Sequence, residues 1–483
     1  MAHFGSGGNA VSDWLDAARN GTQRFIGLWA DTQSAYALYA ADAAAPRLIR
    51  VLVENGCYPA LSPHRPAAAW FERMVRDLWG HVAEGATDPR PWLDHGRWPV
   101  TRPMAMLPQS RGPGAPEPPT FLPTAGEDLH QVPVGPIHAG VIEPGHFRIT
   151  AEGETVLRVE ALLGYTHKGT LALMRGKSPR AAARYAARLS GDSTVAHSIA
   201  FARAAEAASG VEAPARAAAL RAVMAEIERI ASHLRDIGMV CGDVALAAIE
   251  ATCEQLREEL LRASADAVGH RLMMDMVIPG GVAADLLPAG AAALREAADA
   301  IAGAMPDLRQ AYESYASLTD RMTGTGVIAP ALAYAFGAGG YTARASGQRV
   351  DARVLPGYAP YERLASEIVT LDTGDVDARL RIRFAEIDES LSILRGLLTA
   401  LPEGTLVAAL PQATGEGIGW AEGFRGDCWC WLRLDVGLIA AAFLRDPSWM
   451  HWPLLEAAVP GHTIGDFPLI CKSINASISG VDL

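Results

Sequence analysis

Lysine is almost absent from this 483-residue chain: Lys168, Lys177 and Lys472 are the whole complement, and arginine supplies the rest of the 42 basic residues. Acids outnumber them at 54, for a formal charge of -12. Without a basic surplus or a Lys/Arg block there is no field for a phosphate backbone or an anionic lipid surface, so no nucleic-acid partner is expected. Cysteine is also scarce. Cys57, Cys241, Cys253, Cys428, Cys430 and Cys471 are scattered, and the start MAHFGSGGNAVSDW lacks the basic and apolar regions of a secretory leader. Reduced thiols in the cytoplasm are therefore expected. The longest uncharged run, Met322 to Ala343, is broken by Pro330 and several glycines. It reads as a buried, loop-rich segment, so the chain is not itself expected to span a membrane.

Prolines and glycines cluster from Thr101 to Pro136, where periodicity vanishes. The division expected is a small α/β unit over 1–100, a linker over 101–130 and a large unit over 131–483. In the first unit WLDAARNGT and AAAWFERMVRDLWGHV read as helices and PRLIRVLVE as a strand, with Glu72 and Arg76 placed to pair at i,i+4. Beyond the linker, HFRITAEGETVLRVEALL alternates around the turn Glu152 to Glu154, a hairpin pattern. Leu220, Met224, Ile227, Ile230, Leu234 and Ile237 then mark one stripe of a long amphipathic helix. Similar patterns over 244–270, 290–318 and 378–400 predict an antiparallel bundle, and CWCWLRLD a strand with Cys428 and Cys430 on opposite faces. The class is α+β, mainly helical with small β elements.

Eight segments of the large unit carry most of the information: GPIHAGVIEPGHFRI, LLGYTHKGTLALMRG, RLSGDSTVAHSIAF, IERIASHLRDIG, GHRLMMDMVIPGGV, LDTGDVDARLRIRFAEIDES, RDPSWMHWPLLEAAVPG and DFPLICKSINASISG. In this order they resemble the large subunits of energy-converting nickel-iron hydrogenases, of the hydrogenase-4 and formate hydrogenlyase kind. They equally resemble the related 49-kDa subunit of respiratory complex I. The string ERMVRDLWGHVAEGATDPRPWLDHGRW resembles the 30-kDa subunit that docks on it and is often fused to it.

Active hydrogenases of that family carry R-[IV]-C-G-x-C and D-P-C-x-x-C. Here those positions read Arg188-Leu189-Ser190-Gly191-Asp192-Ser193 and Asn475-Ala476-Ser477-Ile478-Ser479-Gly480, so all four lack sulfur. Nickel and low-spin iron need soft anionic thiolates, which neutral serine hydroxyls do not replace. The resemblance therefore implies a chain that is not an active hydrogenase and holds no nickel-iron centre. The complex I branch also lacks the metal and places a quinone headgroup in the vacated cavity, between a histidine and a tyrosine. The histidine candidates here are His138 and His146, while the tyrosine position falls on Gly191.

What the resemblance implies is a subunit performing proton-coupled electron transfer at a nickel-free cavity, with quinone or another small molecule as acceptor. Glu143 and His146 sit where hydrogenases keep a proton-transferring glutamate, and Glu143 with His197 are the expected catalytic pair. Ser190, Asp192, Ser193 and Ser477 line the former metal site, and His167 and Lys168 lie beside the terminal iron-sulfur cluster of a partner. The partners implied are a 20-kDa-type iron-sulfur small subunit and antiporter-like membrane subunits, with this chain peripheral on the cytoplasmic face. NADH reaches such complexes through other subunits: GSGGNA and GTGVIA fit only a loose glycine pattern, outside any βαβ unit. Two other readings stand beside this one. The chain can be a non-catalytic structural coupler, or, remotely, a serine hydrolase built on Ser193 and His197, although G-x-S-x-G is absent.

Overall fold

The computed structural model describes residues 11–41, 44–112, 119–124, 126, 128–138, 143–364 and 367–483. The glycine string of the first ten residues and the centre of the Pro/Gly-rich stretch, 113–118, lie outside them. Helices and small antiparallel sheets together give the α+β class.

The expected helices form where the apolar stripes run. They are Ala69–Trp79, Ala215–Asp243, Ala247–Val268, Pro288–Ser314 and Val376–Thr399; Ala247–Val268 and Val376–Thr399 pack on the long helix Ala215–Asp243, and Pro288–Ser314 packs on those two. The 322–343 segment folds into short pieces, Pro330–Phe336 and the start of Gly340–Arg344 among them. Among the described residues no helix is long and apolar enough to cross a membrane. The hairpin forms from His146–Glu152 and Thr155–Leu162, joined at its edge by Leu129–Val134.

Two sheets meet face to face. Arg24–Ala30, Ser34–Ala41 and Ala44–Leu52 form one; Gly415–Gly423, Gly426–Asp435 and Leu438–Arg445 form the other. Trp29 stacks on Phe443 with centroids 4.8 Å apart and lies 5.5 Å from Trp431. Arg24 forks onto Asp427 at 3.0 and 2.7 Å. The other face of the C-terminal sheet rests on the alanine-rich helix Thr194–Ser209. Contact is so close that a Cβ on Gly417 or Gly419 would meet the carbonyls of Ala204 or Ala200 at 2.1 or 2.2 Å.

Two local expectations fail. Cys428 and Cys430 share one face, because side chains two apart in a strand point the same way; their partners across the pair, Ala421 and Gly419, lie on the side facing the helix. Nor do Glu72 and Arg76 seek each other. Glu72 is buried and accepts the amides of Leu61 and Ser62 at 2.6 and 3.0 Å, while Arg76 reaches the carbonyl of Pro89.

Candidate functional site

Three stretches distant in sequence converge where the hairpin sheet, the Thr194–Ser209 helix and the C-terminal tail meet. Ser190 precedes that helix, Ser477 follows the helix Phe467–Ile474, and their hydroxyl oxygens are 2.9 Å apart. Ser190 Oγ also donates to Asp192 Oδ1 at 2.9 Å. Asp192 is gripped by both ends of the Arg425 guanidinium at 2.6 Å, and Arg425 Nη1 reaches Ser193 Oγ at 3.4 Å. Burial pushes the Asp192 carboxyl up, but the Arg425 guanidinium outweighs it and holds the group below its ordinary range. Glu143 accepts from the amides of Ile478 and Ser479 at 2.7 and 3.0 Å and from the Ser479 hydroxyl, so it clasps the tail.

These groups border a cavity of about 420 Å³. Its wall is mostly apolar, with Phe147, Met239, Phe424 and Trp452, and carries the charged groups Glu143, Asp192, Glu228, Arg235 and Arg425. Glu228 is buried and accepts the amides of Val195 and Ala196 at 2.6 and 3.0 Å. Burial dominates those bonds, and together with the nearby Asp192 charge it pushes the Glu228 carboxyl up to about 8. An acid that exchanges its proton near neutrality therefore lines the cavity.

Of the residues singled out from sequence, Glu143, Asp192 and Ser477 face this cavity. Ser190, Ser193 and His197 stand behind it. His138 and His146 stitch the hairpin loop instead, His138 Nε2 to the Gly145 carbonyl at 2.8 Å and His146 Nδ1 to the Gly135 carbonyl at 3.2 Å. Burial holds the His146 ring below its ordinary pKa. His167 stacks on Trp98 at 4.4 Å, and Lys168 Nζ donates to the Leu189 carbonyl at 3.3 Å. His167 borders a small hollow of about 230 Å³ with His95, Arg97, Trp98 and Tyr165, whereas Lys168 lies on the serine side, within electrostatic reach of Glu143.

His197 is buried, with Nε2 donating to Asp446 Oδ2 at 2.8 Å and Cys428 Sγ 3.8 Å away. With Asp446 these side chains offer three ligand atoms within 4.8 Å of one another. The carboxylate is already spent on the imidazole, and burial keeps the Cys428 thiol protonated, far from the thiolate a metal takes. His197 and Ser193 do not form a nucleophile and base, since each is turned to another partner.

The nickel-iron group does not fit. Two of its four positions are hydroxyls bonded to each other, and the fourth is closed: a Cβ on Gly480 would meet Asp446 Cγ at 2.6 Å.

Glu228, Arg235, Arg425 and Asp446 were not singled out from sequence. Glu228 was open to detection, as a charge four residues beyond Met224 on the apolar side of its helix. Arg425 was not, because its partner Asp192 lies 233 residues away.

Comparison with known proteins finds relatives over most of the chain. Family models for the respiratory-chain NADH dehydrogenase 30 Kd subunit, nickel-dependent hydrogenase and the respiratory-chain NADH dehydrogenase 49 Kd subunit match residues 17–109, 168–236 and 243–417. Formate hydrogenlyase subunit 5 of Escherichia coli is 29% identical over 442 residues, covering 88% of this chain and 77% of the relative. An NADH-quinone oxidoreductase subunit of Acidiphilium cryptum is 33% identical over 279 residues, covering 58% of this chain and 69% of the relative. A chain of the archaeal membrane-bound sulfane sulfur reductase superposes with a TM-score of 0.70 at 23% identity, over 74% of this chain and 99% of that one. That likeness shows the fold.

Proposed function

Because the chain belongs to the family that unites the 49 kDa subunit of respiratory NADH dehydrogenases with the large subunits of membrane-bound nickel-dependent hydrogenases, we propose that it is a subunit of a membrane-bound oxidoreductase complex and serves proton-coupled electron transfer at its nickel-free cavity. One observation carries this reading. The cavity of about 420 Å³ is lined by aromatic and aliphatic side chains that suit a planar ring and by ionisable groups, Glu143, Asp192, Glu228 and Arg425 among them. A quinone headgroup is the occupant that suits both sets.

The same reading assigns the partners. A 20-kDa-type iron-sulfur protein docks beside His167 and Lys168, where the small hollow offers aromatic and cationic side chains, and antiporter-like subunits carry the complex in the membrane with this chain on the cytoplasmic face. Lys168 brings a positive charge toward the partner's cluster and favours its reduced state. Residues 1–100 act as the 30-kDa-like module and 131–483 as the 49-kDa-like one, joined through 101–130.

The non-catalytic coupler has one observation in its favour, namely that Glu143 is tied to four donors of the tail. Labelling the complex from native membranes with an azido-quinone separates the readings. The redox reading expects label near Met239 and Phe424, displaced by decylubiquinone. Absence of cavity label, with wild-type turnover in Glu143→Gln, leaves only the coupler.

A further inference from the structure

Where metal-binding relatives carry sulfur, this chain has an unbroken line of hydroxyls between two cavity carboxylates. Ser190 Oγ is 2.9 Å from Asp192 Oδ1 and 2.9 Å from Ser477 Oγ. Ser477 Oγ is 3.3 Å from Ser479 Oγ, which touches Glu143 Oε1. All three serines are buried.

The number of protons in this line is decisive. Three hydroxyls bring three protons to the four links of the line, Asp192 to Ser190, Ser190 to Ser477, Ser477 to Ser479, and Ser479 to Glu143, while a longer contact of 3.4 Å also runs from Ser477 Oγ to Glu143 Oε2. With both carboxylates ionised, one link sets two oxygens against each other with no proton between them. A single added proton fills every link. Glu143 is arranged for it: the Ile478 and Ser479 amides and, at 3.4 Å, the Ser477 hydroxyl bind Oε2, leaving Oε1 to the Ser479 hydroxyl. Gly480 N donates to Ser477 Oγ at 3.0 Å and so fixes the middle of the line.

We propose that Ser479, Ser477 and Ser190 form a relay that passes one proton between Glu143 and Asp192 along the cavity wall. The proton leaves Glu143 Oε1 for Ser479 Oγ as Ser479 gives its own to Ser477 Oγ. Ser477 gives to Ser190 Oγ, and Ser190 to Asp192 Oδ1. Each O–H bond that breaks is matched by one that forms, no electron moves, and the negative charge ends on Glu143. The facing charges set the resting state. Asp192 faces Arg425 at 2.6 Å and Arg235 at 3.7 Å, with Glu228 the nearby acid, whereas Glu143 faces Lys168. Two guanidiniums against one ammonium keep Asp192 ionised between transfers. A cavity-bound acceptor that takes a proton at Asp192 takes the one that the serines deliver from Glu143.

The relay rests on the redox reading of the cavity, and one experiment on the whole complex separates the two. Turnover is driven with reduced methyl viologen as donor and decylubiquinone as acceptor, in Ser190→Ala, Ser477→Ala, their double variant and Ala231→Phe, which fills the cavity without touching the line. Each serine variant is expected to lose about 100-fold, the low end of acid-base participation, and the double variant no more than either single, because a series relay is cut only once. Infrared pH titration is expected to show a protonated-carboxyl band that is lost in Glu143→Gln and shifted in Ser190→Ala. If Ala231→Phe stops turnover while the serine variants keep the wild-type rate and band, the relay is wrong and the redox reading stands. If Ala231→Phe turns over normally, the redox reading falls; an unshifted band in Ser190→Ala then removes the relay too, and a shifted band keeps it.

Discussion

Ser190 and Ser477 lie 287 residues apart in sequence and 2.9 Å apart in space, hydroxyl to hydroxyl, at two positions where a nickel-iron site needs thiolates. Each satisfies the other, so the pair is stable without a metal, and neutral hydroxyls give nickel no soft anionic ligand. Protein produced with a complete hydrogenase maturation machinery is expected to contain no stoichiometric nickel and to evolve no hydrogen. One nickel per chain by elemental analysis contradicts this.

Gly480 makes the loss structural as well as chemical. Its added Cβ would meet Asp446 Cγ at 2.6 Å and Oδ2 at 2.8 Å, and Asp446 cannot swing away, because His197 and the Ser448 amide each hold it at 2.8 Å. Overpacking of this kind costs about 1–3 kcal/mol, so Gly480→Ala is expected to lower the unfolding free energy from chemical denaturation by that amount. Restoring cysteine at 190, 193, 477 and 480 together is expected not to restore nickel. A Gly480→Ala variant as stable as wild type shows that Asp446 can move.

The helices were legible because each presents one apolar stripe, as Leu220 to Ile237 does, and the eight motif segments carried the family. The strands Arg24–Ala30 and Ser34–Ala41 were not legible. In Arg24–Ala30 every residue after the first is buried, since the sheet is covered on both faces, and the period-two alternation that marks a half-exposed strand vanishes. The site was half legible for a similar reason. Motif positions pointed to Glu143, Asp192 and Ser477, but the grip of Arg425 on Asp192 is a contact made only by the fold.

That covered sheet yields a third prediction. Trp29 is buried against Phe443 and Trp431, and Phe/Trp→Ala changes in such cores cost about 3–5 kcal/mol. Trp29→Ala is expected to destabilise the chain by this amount. Residues 131–483 alone are expected to aggregate, because Trp431 and Phe443 lose their cover. Sedimentation of that fragment is the check, and a soluble monomer with its own cooperative unfolding shows that the two sheets do not depend on each other.

The fourth prediction follows from Glu228, whose carboxyl is pushed from the ordinary 4.5 up to about 8 by burial and by Asp192. Between those values the folded chain holds a proton that the unfolded chain has released. The group's contribution to stability is therefore complete below about 4.5 and is lost as pH rises through about 8, at most about 1.4 kcal/mol per pH unit. Glu422 and Glu456, both raised to about 7, and Asp482, raised to about 6, add slopes of the same sign. Asp446 and Asp427, held well below 3.8, contribute stability that is lost only in acid and stay constant above about pH 5. Glu228→Gln removes one proton from this balance and leaves the others. Between pH 5 and 8 its denaturation free energy is expected to fall less steeply than that of the wild type, by about one bound proton. The slope is the measurement, because the new amide also alters the bonds from Val195 and Ala196 at every pH. Equal slopes in the two proteins mean that Glu228 is already ionised at neutrality and supplies the cavity with no proton.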